Sequence, residues 1–125
     1  MSGTGTRQQA ELRGRRAERL AALYLRTKGF GIVKTRYKTP VGEIDLIARR
    51  GKLIVFIEVK WRSKIDDALD AVHWQTQSRI AKAAGHFTAI HPEFSSYYQR
   101  FDVIALAPWR WPVHLKQAFD APDTF

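Results

Sequence analysis

A chain of 125 residues without cysteine has neither a disulfide framework nor thiolate metal ligands, and its length suits one domain that buries its own core without staples. Twenty-one Lys and Arg (21) against 12 Asp and Glu give a net charge of +9 and a pI near 10.3, the electrostatic footprint of a nucleic-acid binder. No apolar run nears the length of a membrane span, no stretch joins a basic face to a long exposed aromatic one, and residues 1–6 lack the apolar segment of a signal peptide. The expectation is a soluble, cytoplasmic, single domain over 1–125, with residues 1–8 flexible and a polyanion rather than a membrane as partner.

Residues from about Gln8 to Lys28 read as a helix, with Leu12, Ala17, Leu20, Ala21, Tyr24 and Leu25 at helical spacing and Gly29 as its stop. Glu18 lies at the edge of that apolar stripe, and by pattern alone it is a surface acid pairing with Arg15 or Arg19. Phe30 to Lys38 gives a first strand, with Thr39-Pro40 turning into the next. Gly42-Glu43-Ile44-Asp45-Leu46-Ile47 and Leu53 to Lys60 then read as a β-hairpin about Arg50-Gly51. One helical stretch is expected from about Ile65 to Ile90, broken by His91-Pro92. Residues 100–107 read as a buried strand, and Trp111 to Leu115 as a short edge strand that tolerates Pro112. Helices packed on a mixed sheet make an α/β sandwich the natural architecture.

The hairpin carries the chemistry. With a turn at residues 50 and 51, Glu43 stands opposite Glu58 and Asp45 opposite Phe56, so alternation sends Glu43, Asp45, Glu58 and Lys60 to one face and Ile44, Leu46, Val55, Ile57 and Val59 to the other. Asp45 and Glu58 are then diagonal neighbours about 7–8 Å apart at the backbone, a repulsive pair unless a cation lies between them. Mg²⁺ suits such a site, since it takes oxygen ligands and one or two protein carboxylates and leaves room for water and phosphate. Lys60 on the same face supplies positive charge for a phosphate or an attacking water. The same spacing also describes a plain solvated cross-strand ion pair, because Glu-x-Lys is common by chance.

Glu18, the Gly42 to Ile47 segment, Phe56-Ile57-Glu58-Val59-Lys60-Trp61-Arg62, Arg100-Phe101-Asp102-Val103 and His114 to Phe119 together resemble the YraN-like family of small bacterial proteins, over about Arg13 to Asp120. That family is similar in turn to the PD-(D/E)XK nucleases and archaeal Holliday-junction resolvases. The resemblance implies a restriction-endonuclease-like αβββαβ core, a mixed central sheet flanked by helices. It makes Asp45 and Glu58 the metal-binding acids, with the Val59 carbonyl as a further ligand, and Lys60 the motif lysine. It turns Glu18 from a surface acid into a fourth member of the site; Glu43, which faces Glu58 in the expected register, is an accessory acid. The implied activity is Mg²⁺- or Mn²⁺-dependent phosphodiester hydrolysis in structured or branched DNA, a two-fold substrate that would favour a homodimer.

One position departs from the family pattern: Thr76 stands where a lysine is usual, with Gln77 and Arg79 nearby, both read as exposed helix face. Because of it, a non-catalytic nucleic-acid-binding module that keeps the fold is the competing class, and a basic scaffold for an acidic protein a weaker third. His73, His86, His91 and His114 have no zinc-ligand spacing and are expected to be structural. Trp109-Arg110-Trp111 could stack on unpaired bases but is expected to pack the end of the sheet. Trp61 and Arg62, just past Lys60, are the expected nucleic-acid contacts.

Overall fold

The computed structural model describes residues 3–69 and 72–120. Helix α1 (Gly3–Thr27) starts earlier than the Gln8 expected from periodicity. It closes in a Schellman motif, with Phe30 N–H donating to the Leu25 carbonyl (3.0 Å) and Gly29 N–H to that of Arg26 (3.1 Å), while Phe30 and Leu25 join the same core. Strands β1 (Gly31–Thr39), β2 (Gly42–Arg50) and β3 (Leu53–Trp61) follow as an antiparallel meander.

The single helix expected over 65–90 is instead α2 (Ile65–Leu69) and α3 (Trp74–Ile90), separated by a break that includes Val72 and His73; Asp70 and Ala71 lie outside the described residues. A 3₁₀ turn at Pro92–Phe94 leads into β4 (Tyr98–Leu106), and β5 (Val113–Phe119) starts just after Pro112 and runs further than expected. The sheet order is β1-β2-β3-β4-β5, antiparallel except where β4 joins β3 in parallel after the helical crossover.

Both faces of the sheet are covered, which explains the unbroken apolar run from Leu53 to Ile57. On one face Ile44, Ile47, Ile54 and Phe56 pack against Ile80, Ala84 and Phe87 of α3. On the other, Leu46, Ala48, Val55 and Ile57 pack against Ala17, Ala21 and Leu25 of α1. The α1, three-stranded meander, helical crossover and parallel β4 make up the restriction-endonuclease-like core. Gly42 fixes the approach of α3 to β2, since a Cβ there would overlap the Arg79 carbonyl.

A buried ion cluster ties β4, β5 and α1 together. Asp102 is fully buried and accepts bonds from Arg100 Nε and Nη2 (both 2.8 Å), His114 Nε2 (2.7 Å) and the Gln117 amide (2.9 Å). Tyr24 Oη of α1 lies 3.3 Å from His114 Nδ1. Burial pushes the Asp102 carboxyl up, but the hydrogen bonds from His114, Arg100 and Gln117 outweigh it and hold it below the usual Asp value.

Candidate active site

The observed hairpin register corrects the expected one. Arg50 pairs with Leu53 and Leu46 with Ile57, so the turn is Gly51-Lys52 and every pairing moves by two residues. Glu43 therefore does not face Glu58; in the continued register Asp45 does. Pairing between β2 and β3 reaches only Leu46 and Ile57, although β2 starts at Gly42 and β3 continues to Trp61. The two strands separate at that point, and the acids lie in the opening.

Alternation also breaks there. Leu46, Val55, Ile57 and Val59 share the α1 side as expected, but Ile44 packs on the α3 side, so alternation fails between Ile44 and Leu46. The acids likewise have no face to themselves. They line an open cavity of about 620 Å³ between the ends of β2 and β3 and the N-terminal half of α1, whose walls include Arg13, Glu18, Glu43, Asp45, Glu58 and Lys60. Val59, Trp61 and Arg62 also border it. All eight residues singled out from the sequence thus meet at one cavity, with Glu43 exposed at its margin.

Asp45 is fixed by the backbone. The Val59 amide donates to its Oδ2 at 2.8 Å, replacing the ladder bond that the separating strands no longer make. A strand residue that turns its N–H toward one neighbour turns its C=O the same way, so the Val59 carbonyl also faces the Asp45 side. Glu58 is partly buried beside Asp45, and burial pushes its carboxyl up to about 9. A hydrogen bond to Asp45, the Asp45 charge and, more weakly, Glu43 act in the same direction, while Lys60 opposes them. At neutral pH the pair thus holds a proton, the smallest cation able to relieve it.

Glu18 is the third acid. Its side chain is 17% exposed and pairs with Arg36 Nε at 3.1 Å. Burial raises its carboxyl, the Asp45 charge adds to that, and Arg36 pulls it back. Arg36 was not singled out from the sequence. It stands across from Asp45 on β1 with φ of 51°, a left-handed conformation that non-glycine residues rarely adopt and that accumulates at functional sites.

The donor set fits a hard divalent cation: two converging carboxylates and a backbone carbonyl facing the same way, with space left for water or phosphate. Among the described residues no three His or acidic side chains gather into a fuller metal cluster. Histidine ligation is not part of this site: none of the four histidines lines the cavity, and His114 and His86 are engaged with Asp102 and Tyr37. Thr76, Gln77 and Arg79 do not line it either. Gln77 Nε2 donates to the Val72 carbonyl at 3.3 Å, and Arg79 is exposed.

Residues 17–106, from Ala17 in α1 to the end of β4, match the Uncharacterised protein family UPF0102. The chain belongs to this family, also called the YraN family. It is 49% identical over 113 residues to the UPF0102 protein of Bartonella tribocorum, covering 90% of this chain and 87% of that one. The UPF0102 protein of Mesorhizobium japonicum is 45% identical over 116 residues, covering 93% of each. That of Rhodopseudomonas palustris is 50% identical over 105 residues, 84% of this chain and 78% of its own. The UPF0102 match spans Glu18, Asp45, Glu58 and Lys60 and stops before the tryptophans at 109 and 111. Those two do not pack the end of the sheet as expected, since Trp109 is 102% and Trp111 88% exposed. Among the described residues no helix is long and apolar enough to cross a membrane.

Proposed function

We propose that this UPF0102 protein is a metal-dependent nuclease that hydrolyses phosphodiesters, with structured or branched DNA as its substrate class and the cytoplasm as its setting. The observation that carries the reading is that Asp45, Glu58 and Lys60 line one open polar cavity with Glu18, and burial there, with Asp45 alongside, pushes the Glu58 carboxyl up to about 9. A buried structural acid is normally completed by a bonded opposite charge, as Asp102 is by Arg100, whereas among the described residues neither Asp45 nor Glu58 makes a salt bridge.

Asp45, Glu58 and the Val59 carbonyl would hold Mg²⁺ or Mn²⁺, which when bound supplies Lewis-acid polarisation of phosphate and a water of lowered pKa. Lys60 stabilises the charge that develops on the phosphoryl oxygens, and its place two residues past Glu58 keeps it within reach of the same phosphate. Glu18, anchored by Arg36, presents a carboxylate that orients an attacking water. Glu43 adds negative potential at the rim and helps attract the cation. The +9 charge draws the polyanion in, with Arg13 and Arg62 at the mouth of the cavity.

The test is a cleavage panel of linear, flapped and four-way-branched DNA and RNA with Mg²⁺, Mn²⁺ or EDTA, using wild type, Asp45→Asn and Lys60→Ala. Asparagine retains an acceptor for the Val59 amide, so the fold is kept. Metal-dependent cleavage by wild type, reduced at least about 100-fold in both variants while binding persists, is the expected result. Binding without cleavage under either metal would replace the nuclease with the non-catalytic module.

A further inference from the structure

Beside the acid cavity, on the other side of Trp61, lies a second groove of about 330 Å³ between α1 and the segment leading into β5. Leu20 and Leu23 of α1, both about half exposed, form one wall, and Arg110, Trp111 and Pro112 the other. Trp61 borders both cavities and so joins them. Trp109 stands beyond the groove, wholly exposed, with φ of 61°. A large aromatic held left-handed and fully in water is disfavoured both sterically and by hydration, the combination expected where a ligand is to be met.

The lining chooses among occupants. Among the described residues no acid borders this groove or the adjoining surface of Trp109, Arg110 and Trp111, and Arg110 lies with the two indoles there. Flat apolar surfaces alternating with a cation match a nucleobase on a phosphate chain, where the ring stacks and the guanidinium meets the backbone. A second copy docking here by two-fold symmetry would bring Arg110 toward its own mate between molecules of charge +9. Duplex DNA offers no free base face to such a groove.

We propose that the Trp61–Trp111 groove binds an unpaired nucleobase of the strand whose phosphate enters the acid cavity. This rests on the nuclease reading of that cavity and narrows its substrate to nucleic acid where paired and unpaired strands meet.

The test is fluorescence anisotropy in EDTA, with wild type, Trp109→Ala and Trp111→Ala titrated with labelled oligodeoxythymidine, oligouridine and a blunt DNA duplex of equal length. Trp61 is left intact because it borders the acid cavity. Thermal melts check that the variants fold, as the exposure of both indoles leads one to expect. Trp111→Ala should bind the single strands roughly tenfold more weakly and the duplex within about twofold of wild type, with the salt slope unchanged, while Trp109→Ala, beyond the groove, should shift the same way by less. Equal losses on all probes, no loss, no binding of single strands by wild type, or a wild-type dimer that Trp111→Ala dissociates would each overturn the proposal. Because no metal is present, the groove and the nuclease fail separately. Single-strand selectivity without cleavage leaves the groove standing, and cleavage of branched DNA untouched by the tryptophan variants leaves the nuclease.

Discussion

Replacing Glu58 with glutamine should make the metal-free protein more stable, and by an amount that grows with pH. The Glu58 carboxyl is raised from 4.5 to about 9, chiefly by burial and then by its bond to Asp45 and the Asp45 charge. Between those two values the folded state keeps a proton that the unfolded chain releases, so wild-type stability falls as pH rises. The stabilisation is fully present below about 4.5 and gone once pH passes about 9. One proton corresponds to a slope of about 1.4 kcal/mol per pH unit, so wild type loses up to about 4 kcal/mol relative to Glu58→Gln from pH 5 to pH 8. That is a large share of the stability of an ordinary domain.

Urea unfolding of both proteins in EDTA at several pH values from 5 to 8 measures the difference directly, since titrations common to both cancel. Parallel stability curves would show that Glu58 titrates normally, and the strained acid pair would have to be abandoned. Adding Mg²⁺ or Mn²⁺ should recover wild-type stability at pH 8 more than at pH 5, because a ligand must lose its proton to bind metal. A cation at a hundred times its dissociation constant adds about 2.7 kcal/mol, and Glu58→Gln should gain much less.

Three further outcomes follow from the packing. Asp102→Asn should cost about 3–5 kcal/mol in urea unfolding, because it leaves Arg100 without its charged partner inside the protein, and a loss below about 1 kcal/mol would mean the cluster is dispensable. The lowered Asp102 value means its stabilisation is present above the usual Asp pKa and lost as pH falls through the folded one, so wild type should approach the variant at acid pH. Gly42→Ala should destabilise by about 1–3 kcal/mol through its clash with Arg79, whereas Gly85→Ala, in α3 with nothing near its would-be Cβ, should stabilise by about 0.5–1 kcal/mol. A thermal melt that moves both glycine variants the same way would refute that packing.

The α/β alternation, the meander and the Asp45, Glu58 and Lys60 set were legible in the sequence because periodicity and buried charge are local signals. The register was not. A two-residue hairpin turn accepts glycine at its second position in one type and at its first in the other, and here Gly51 is first, with φ of 60° and no such angle at Lys52. Putting Gly51 second moved every pair by two and kept side-chain parity, so the acids still fell together while Glu43 took Asp45's place opposite Glu58. The break between α2 and α3 escaped because the apolar spacing runs on across it. Glu18 entered by resemblance alone, since its partner Arg36 is distant in sequence and an αL arginine in a strand has no compositional signature. Asp102 entered only as part of the resemblance, and its partner His114 comes from another strand.

The point where pairing fails explains why the site lies there. Strands that part company inside a sheet leave backbone donors behind, and a buried N–H without a partner costs about 1–3 kcal/mol. Here the Asp45 carboxylate accepts the Val59 amide, so the side chain most needed in the opening also completes the backbone around it. The same contact orients Val59 and, through it, the flanking Glu58 and Lys60. Because the strands diverge, Glu58 is neither fully solvated nor part of a regular cross-strand pair, and its burial beside Asp45 is what sets its proton affinity. The strain at Arg36, which stands across from Asp45 on the first strand of the meander, belongs to the same local departure from regular sheet.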